Sequence, residues 1–344
     1  KELELVELDV LNRAAVPLPI EFLGGKVETD MSKRLDYRYL DLRNPRVFAI
    51  FKVRSVMLNA IHKFFRDNEF LEMQTSKISE AGAEGGAELF ELPYFKKKVA
   101  LNQSQQLYKQ LIMISGFEKA YEIGTSYRAE KSHTHRHLTE FWQLDVEMSF
   151  LDGIKDIMSV QERLIVSVLR AVKKEAKSEL ELLKVNLNVP KLPFPKINHS
   201  DACKLLGLKQ GTDIGTEAER KLGALVKRKY KTDAFFLINL PENLTKFYAM
   251  HDDGIGRYVD LIYKNNEISS GGQREHRYDI LINQIRNKKL KPKDLEFYTT
   301  PFKYGAPPHG GFGMGIDRLL TFILDLPNVR EGVLFPRDVE RTSP

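Results

Sequence analysis

The feature that most constrains this chain is a polar loop between two alternating stretches near its middle. Residues 120–124 and 142–150 alternate apolar with polar side chains, which is the two-residue period of β-strands. The segment between them carries Arg128, Glu130, His137 and Phe141. Because arginine and glutamate are seldom buried without partners, this segment is not a packed core. We therefore predict a strand–loop–strand that clamps a nucleotide, with a guanidinium on phosphate and a ring against the base.

Composition narrows the class of protein. The 344 residues can bury a large core as one or two domains, and 53 Lys+Arg against 47 Asp+Glu permit a polyanionic partner without requiring one. The single Cys203 excludes an intramolecular disulfide and fits a reducing compartment. No apolar run reaches the roughly 20 residues that span a bilayer. We expect a cytoplasmic protein with no membrane segment, and the missing initiator Met suggests that the chain begins inside a longer gene product.

Hydrophobic periodicity predicts the fold class. Apolar residues at three- and four-residue steps predict an amphipathic helix over residues 45–68. Other helices are predicted over residues 106–114, 154–183, 217–227 and 314–325. Strands are predicted over residues 4–11, 70–73, 99–102, 120–124, 141–150, 235–240 and 258–263. Because successive strands are joined by short turns, we predict an α+β fold with an antiparallel sheet flanked by helices, not a doubly wound one.

A glycine-rich run at residues 310–315 precedes the last predicted helix. It does not fit a dinucleotide-binding fingerprint, because no strand of a βαβ unit is predicted before it. A flexible turn that caps the helix would explain the glycines equally well. Arg318, close to the start of that helix and to backbone that glycine leaves open to a ligand, favours an anion-binding role.

Three polar side chains on neighbouring predicted strands suggest a metal site. Asp260, Glu267 and Ser270 offer the two carboxylates and the hydroxyl that suit Mg²⁺. A solvated hairpin with polar edges is the alternative at this point. Zinc is not favoured, because the alternate histidines at 133, 135 and 137 lack the helical i, i+4 spacing and a fourth ligand.

A second group of side chains suits a small ligand with a carboxylate. Gln106 and Lys109 lie one turn apart on a predicted helix, so their side chains can point to the same place. Arg274 follows a Gly-Gly-Gln segment and adds a second cation. Taken alone, either cation is more simply a surface residue.

Together these segments resemble the catalytic domain of class II aminoacyl-tRNA synthetases, within subclass IIb, and most closely the archaeal- and eukaryote-type aspartyl enzymes. The resemblance runs from about Leu35 to the last residue. It rests on five ordered segments: residues 34–43, motif 1 over 45–75, motif 2 over 127–141, motif 3 over 313–318, and 334–338. It implies a class II catalytic domain over residues 25–344, with a small insertion at about 185–245. Residues 1–24 would then be the end of a missing N-terminal OB-fold and its hinge.

The resemblance also implies an activity. The chain would activate L-aspartate with ATP and Mg²⁺ as aspartyl-adenylate and transfer it to the 3′ end of tRNA(Asp), with tRNA(Asn) left open. Arg128 and Arg318 would be catalytic. ATP would contact Arg128, Glu130, His137, Phe141, Glu267, Gly315 and Arg318. Asp260, Glu267 and Ser270 would hold Mg²⁺. The amino acid would contact Glu84, Gln106, Lys109, Asp145, Ser270 and Arg274. Motif 1 implies a homodimer, although Ser76 stands where the family usually has proline.

The choice between aspartate and asparagine depends on the pocket. Lys109 facing a neutral amide would leave a buried charge unmatched, and both Lys109 and Asp145 follow the aspartate pattern. Against this, residues 131–134 with Phe141 and Trp142 resemble asparaginyl enzymes. The alternatives are an asparaginyl-tRNA synthetase, an asparagine synthetase of the same fold, and a regulatory paralogue without catalytic activity.

Overall fold

The computed structural model of the chain describes residues 4–21, 29–79, 89–129, 131, 134–135 and 137–343. Its strands are β1 (Leu71–Glu72), β2 (Ile78–Ser79), β3 (Glu91–Tyr94), β4 (Lys97–Leu101), β5 (Lys119–Tyr127), β6 (Glu140–Ser149), β7 (Lys196–Asn198), β8 (Ala234–Ile238), β9 (His251–Asp252), β10 (Ile255–Gly256), β11 (Tyr258–Tyr263), β12 (Asn266–Gln273) and β13 (His309–Gly315). Its helices are α1 (Met31–Asp36), α2 (Arg38–Asp41), α3 (Pro45–Asp67), α4 (Gln106–Ile114), α5 (Ile154–Glu175), α6 (Lys177–Leu183), α7 (His199–Leu206), α8 (Thr216–Tyr230), α9 (Tyr278–Asn287), α10 (Glu296–Thr299) and α11 (Ile316–Ile323).

The main feature of the fold is an eight-stranded sheet in the order β1-β5-β6-β13-β12-β11-β8-β7. The five inner pairs, from β5/β6 to β11/β8, are antiparallel, and the two edge pairs β1/β5 and β7/β8 are parallel. Smaller sheets are formed by β2-β4-β3 and by β9-β10. The predicted α+β class with an antiparallel sheet flanked by helices is confirmed.

One face of the sheet is covered by the long helices. Val53 and Met57 of α3 and Leu164 of α5 are fully buried in the same cluster as Val146 of β6 and Phe312 of β13. Helix α3 begins at a proline after Asn44, whose side chain accepts a hydrogen bond from the backbone of Arg46. That is the usual chemistry of a helix N-terminus. The apolar period predicted over residues 45–68 is therefore the face with which α3 covers the sheet.

The glycine-rich run is a strand and not a turn. Residues 310–315 lie in β13, and the following helix begins at Ile316, two residues later than predicted. Glycine has a low intrinsic preference for strands, which is why the sequence did not indicate this one. A Cβ atom at Gly311 would overlap the carbonyl oxygen of Val146, and one at Gly271 would overlap the carbonyl oxygen of Gly311. Glycine is thus required for β6, β13 and β12 to lie this close together.

Two further predictions are corrected. Residues 4–11 were predicted as a strand but form none, and Leu5 and Val6 are 73% and 94% exposed. Alternation without a surface to bury it does not stabilise a strand. The helix predicted over residues 154–183 is broken at Ala176, where φ is −115° between α5 and α6.

Within the described residues, no helix is long and apolar enough to cross a membrane.

We predict that Gly311→Ala destabilises the protein by roughly 3 kcal/mol, because the added methyl forces β6 and β13 apart in a packed region. The measurement is the midpoint of chemical unfolding. Gly215→Ala is the control, because a Cβ there meets nothing within 4 Å and φ is already −65°. Equal midpoints for the two variants would contradict the packing argument.

Candidate active site

A cavity of about 410 Å³ opens on the side of the sheet opposite α3 and α5. It collects side chains from positions as far apart as 104 and 329 of the sequence. The predicted site residues that line it are Gln106, Arg128, His137, Phe141, Asp145, Asp260, Glu267, Ser270, Arg274, Gly315 and Arg318. Lys109 is not among the lining residues, and Glu84 and Glu130 lie outside the described residues. The fold therefore brings most of the predicted site together in one place.

Strand alternation explains why side chains on one face of β6 border the cavity while those on the other face pack in the core. Phe141, Gln143 and Asp145 line the cavity, while Leu144 and Val146 are fully buried in the core. Successive side chains of a strand point to opposite faces, so the odd positions share the cavity side. From Gln143 to Val146 strand β6 thus alternates between the cavity and the core, whereas Trp142, at an even position, also borders the cavity.

The register of the sheet places the polar side chains in one row. Asp145 of β6 pairs with Gly313 of β13, Gly313 with Ser270 of β12, and Ser270 with Asp260 of β11. Directly opposite residues in antiparallel strands have neighbouring Cβ atoms. A Cβ on Gly313 would come within 3.6 Å of Asp145 Oδ1 and even closer to the Gln143 amide. The glycine keeps open the space between the Asp145 end of the row and the Asp260 end.

The hairpin β5–β6 carries the predicted nucleotide clamp. Tyr127 pairs with Glu140, and the Arg128 backbone N–H donates to the Thr139 carbonyl oxygen at 2.9 Å. The Arg128 guanidinium carbon lies 5.3 Å from the centre of the Phe141 ring. The predicted strand–loop–strand is confirmed, and it places the cation and the ring side by side at the cavity wall.

Arg318 reaches the same cavity from the first turn of α11. Its neighbour Asp317 fixes that turn, because the Asp317 carboxylate accepts from Arg54 of α3 at 2.6 Å and from the Trp142 backbone N–H at 2.8 Å. Burial raises the pKa of Asp317, and the Arg54 charge acts against that rise. The sequence did not indicate Asp317 as the residue that ties α11 to α3 and β6.

A β-bulge brings the three predicted metal-binding side chains to the same face. In a regular strand Glu267 and Ser270, three residues apart, would point to opposite faces. The pairing of β11 with β12 shifts between Leu261 and Ile262, which inserts one extra residue in β12. Bulges re-aim side chains in this way. Ser270 Oγ donates to Asp260 Oδ1 at 2.5 Å, and all three side chains line the cavity.

This corner of the cavity is strongly acidic. Burial raises the pKa of Asp260 well above its ordinary value, and the negative charges of Glu267, Glu219 and Asp213 raise it further. Asp213 also lines the cavity, and a smaller cavity of about 50 Å³ shares Asp213, Asp260 and Glu267 with it. A cluster of neighbouring carboxylates suits a divalent cation.

The proposed metal site contains two carboxylates, those of Asp260 and Glu267. Among the described residues no cluster of three or more His, Cys, Asp or Glu side chains could hold a metal ion. Mg²⁺ fits this arrangement because it keeps several waters and binds through one or two carboxylates and phosphate oxygens. His135, one of the three loop histidines, contacts the Asn328 amide nitrogen at 3.1 Å instead of a metal group.

At the Asp145 end of the row, the floor of the cavity is a buried group of four charged side chains. Arg274 donates to both carboxylate oxygens of Glu147, at 2.8 and 3.1 Å. Lys109 Nζ lies 2.9 Å from Asp145 Oδ1 and 3.6 Å from Glu147, and it also donates to the Phe312 carbonyl oxygen. All four side chains are at most 1% exposed. Two positive and two negative charges balance one another without water.

Lys109 is therefore placed differently from the expectation that it shares a spot with Gln106. Gln106 lines the cavity, whereas Lys109 is fully buried against Asp145. The two residues are one helical turn apart, but the strand face beneath α4 offers Lys109 two carboxylates. Lys109 is held by these partners and does not reach into the cavity.

Several lining residues were missed by sequence reasoning. They are Gln143, Asp213, Lys246 and Tyr248. Gln143 could have been found, because it lies two residues from Phe141 and from Asp145 on the same strand face. Asp213 precedes α8 and Lys246 follows β8, both outside any helix or strand, where no period indicates a direction.

The sequence and the fold of this chain are similar to those of known proteins. The family described as tRNA synthetases class II (D, K and N) matches residues 30–339. An aspartate–tRNA(Asp) ligase from Thermococcus kodakarensis is 46% identical over 343 residues, covering 97% of this chain and 78% of the relative. An aspartate–tRNA(Asp/Asn) ligase from Methanopyrus kandleri is 43% identical, covering 98% and 78%. The crystal structure of asparaginyl-tRNA synthetase from Pyrococcus horikoshii complexed with asparaginyl-adenylate superposes with a TM-score of 0.86 at 35% identity, covering 92% of this chain and 74% of that one.

We predict that Glu147→Gln destabilises the protein by roughly 3–5 kcal/mol, because Arg274 is left buried without its anion. Burial alone would raise the pKa of Glu147, but Arg274 and Lys109 hold it below its ordinary value. The stabilisation from this carboxylate is therefore present at neutral pH and is lost as the pH falls through the lowered folded-state pKa. Unfolding midpoints measured across pH should show the gap between the two proteins closing in acid.

Glu217→Gln is the matched control for that experiment. Glu217 is exposed and contacts Lys221 at 2.8 Å one helical turn away. Exposed pairs of this kind contribute little, so no measurable change is expected. A Glu147→Gln protein as stable as this control would contradict the assignment of a buried, paired charge.

We predict the opposite sign for Asp260→Asn, which should stabilise the unliganded protein at pH 8. The raised pKa means that the folded state holds the proton more tightly, so ionising Asp260 costs stability as the pH rises. The difference should be absent below the ordinary carboxyl pKa, grow as the pH rises from that value to the raised folded-state pKa, and level off above it. Thermal unfolding in the presence of a chelator measures it, and a less stable variant at pH 8 would contradict the prediction.

Proposed function

Because the chain belongs to the class II tRNA synthetases of the D, K and N group, we propose that it is an aspartate–tRNA ligase, which activates L-aspartate with ATP and transfers it to tRNA. The observation that carries this proposal is the polar row across the sheet. Acceptors for an amino acid lie at its Asp145 end, and a group suited to metal and phosphate lies at its Asp260 end. A single cavity therefore holds both reactants within reach of each other.

The ATP end is the wall formed by the β5–β6 hairpin and α11. Phe141 offers a ring for the adenine base, and Arg128, 5.3 Å from that ring, offers a guanidinium for the α-phosphate. Arg318 supplies a second cation from the start of α11, and His137 and Gly315 line the same wall. Glu130 belongs to this group in the proposal. With Arg128 and Arg318 as the catalytic residues, this wall neutralises the charge that develops on the phosphate.

The metal end is formed by Asp260, Glu267 and Ser270. The raised pKa of Asp260 reflects burial and like charge, which a divalent cation would relieve. These residues would hold Mg²⁺, which would neutralise phosphate oxygens and withdraw charge from the pyrophosphate leaving group. Asp260 is kept in place by its hydrogen bond from Ser270.

The amino-acid end lies over the buried charges. Asp145 and Gln106 are the acceptors for the α-ammonium, and Arg274 is the cation that lines the cavity and faces the side-chain carboxylate. Arg274 remains protonated at any working pH and has five N–H donors, so it can hold Glu147 and a ligand together. Lys109 belongs to this end as the cation that balances Asp145 and Glu147. Glu84 and Ser270 complete the proposed set.

The reaction needs position and charge more than a protein base. The α-carboxylate of aspartate attacks the α-phosphorus of ATP, a P–O bond to pyrophosphate breaks, and aspartyl-adenylate forms. The 3′-hydroxyl of the terminal ribose of tRNA then attacks the carbonyl carbon, and AMP leaves with its electron pair. The side chains described here orient both reactants and stabilise charge in each step.

We propose tRNA(Asp) as the acceptor, with tRNA(Asn) as a second acceptor to be tested, since one relative is named for both. We also propose a homodimer. Strand β1 lies at the edge of the sheet, and Phe48 of α3 and Leu71 of β1 are 53% and 48% exposed. Exposed large apolar side chains and an unpaired edge strand are both suited to burial against a second copy.

We predict that the purified chain catalyses exchange of pyrophosphate into ATP with L-aspartate and not with L-asparagine. This assay reports adenylate formation without tRNA. Arg274 favours aspartate because, beyond its bonds to Glu147, a neutral amide would match only part of its N–H donors and would turn an N–H toward them. Arg318→Ala should lower kcat/KM for ATP by about 100-fold, since it removes one cation from the developing charge.

Arg228→Ala is the control for Arg318→Ala, because Arg228 is exposed on α8 and does not line the cavity. It should exchange at the wild-type rate. Exchange that requires asparagine would reassign the chain to the asparaginyl enzymes. ATP binding without exchange on either amino acid would instead support the regulatory paralogue.

A further inference from the structure

A chain of buried hydrogen bonds runs from the backbone before β13 to the amino-acid end of the cavity. His309 Nδ1 lies 2.8 Å from the Pro307 carbonyl oxygen, and His309 Nε2 lies 3.0 Å from the Gln110 amide nitrogen. Gln110 Oε1 lies 2.9 Å from the Gln106 amide nitrogen. His309 and Gln110 are 0% exposed, and neither lines the cavity. Gln106 is 5% exposed and does line it.

The donor and the acceptor of every hydrogen bond in this series are set by its His309 end. A carbonyl oxygen can only accept, so His309 Nδ1 must carry a proton and donate to Pro307. In the neutral ring Nε2 then has a lone pair and accepts from the Gln110 amide N–H. The Gln110 oxygen is thereby turned toward Gln106 and accepts from its amide N–H. The Gln106 carbonyl oxygen takes no part in these bonds, so it is the acceptor that Gln106 can offer the cavity.

Two further observations support this direction. Burial lowers the pKa of His309, which keeps the ring neutral and Nε2 an acceptor. The Tyr298 hydroxyl, 0% exposed, lies 3.1 Å from Gln110 Oε1 and donates to the same oxygen. A hydroxyl can donate or accept, so Tyr298 agrees with the orientation without setting it. The fixed end is the histidine and the carbonyl that it faces.

We propose that His309 is a positioning residue that sets the polarity of the amino-acid pocket through Gln110 and Gln106. Resting on the proposed function, the relay presents an acceptor to the ligand's α-ammonium beside Asp145. A reversed relay would turn the Gln106 amide N–H groups toward that ammonium, where donor would face donor. The residue that selects for the amino group is therefore three hydrogen bonds away from the ligand.

Succinate tests this directly, because it is L-aspartate without the amino group. The measured quantity is the ratio of the succinate inhibition constant to the aspartate KM in pyrophosphate exchange. Being a ratio, it does not depend on the fraction of folded enzyme. His309→Leu should lower it about tenfold, the effect of losing one hydrogen bond to a charged group. The KM for ATP should stay unchanged, because the relay touches only the amino-acid end.

Two more variants separate the relay from a general effect on structure. His309→Gln keeps an acceptor near the position of Nε2 and should restore the ratio. Gln110→Met breaks the chain at its middle and should lower the ratio as His309→Leu does. The double variant should lower it no further than either single change, because both act through one path.

The outcomes distinguish this inference from the function it rests on. If the wild type shows no aspartate-dependent exchange, the proposed function fails, and the relay fails with it as a determinant of aspartate binding. If the wild type does exchange, an unchanged ratio in His309→Leu overturns the relay alone. Equal weakening of aspartate and succinate does the same, since it indicates a structural role. Additive losses in the double variant would also overturn it.

Discussion

The rest of the structure depends on four charges buried at the centre of the sheet. Lys109 comes from α4, Asp145 and Glu147 from β6, and Arg274 from the end of β12, and each is within 4 Å of an opposite charge. None can move without leaving an uncompensated charge in a dry environment, which costs far more than a surface pair. The network thereby fixes α4 against β6 and the start of the segment after β12. Gln106 at the first turn of α4 and Arg274 itself are delivered to the cavity by that constraint.

A second constraint is the close approach of β6, β13 and β12. Glycines at 271, 311 and 313 let these strands approach and leave the cavity face of β13 bare between two polar strands. The even positions of β13, Phe312 and Met314, are buried in the core that α3 and α5 cover. The strand is thus apolar on one face, and from Gly311 to Gly315 it carries no side chains on the other. Asp260 shows the cost of building the site in this way. Its carboxylate is held where burial and like charges oppose ionisation. Such an arrangement is suited to binding a cation and is unfavourable without one.

Sequence reasoning predicted the parts of this fold that carry a strong period. The helices over residues 45–68 and 106–114 and the strand over 258–263 lie within one residue of their predicted bounds. It missed β13 because glycine carries no strand signal, and it placed a strand at residues 4–11 because alternation cannot show whether a surface exists to bury it. At the site, residue types identified Arg128, Phe141 and Asp260, whose chemistry is local. They could not place Lys109, because its direction is decided by Asp145 and Glu147, 36 and 38 residues further along. Asp213 could not be predicted for the same reason, since only the tertiary fold brings it close to Asp260.

The choice between aspartate and asparagine turns on charge balance and not on the number of cations. Lys109 and Arg274 were both expected to face a ligand carboxylate, but Asp145 and Glu147 already balance them. Under the proposed function a ligand carboxylate would meet a floor with no net charge, and we expect its recognition to depend on the guanidinium that lines the cavity. Arg274 can satisfy that carboxylate while it keeps Glu147, because its donors are spread over a rigid planar group. A neutral amide would match part of those donors and would add an N–H facing them. Discrimination in such a pocket comes from a mispaired donor more than from lost Coulomb attraction, and it needs the polar groups around the ligand to be held in fixed directions.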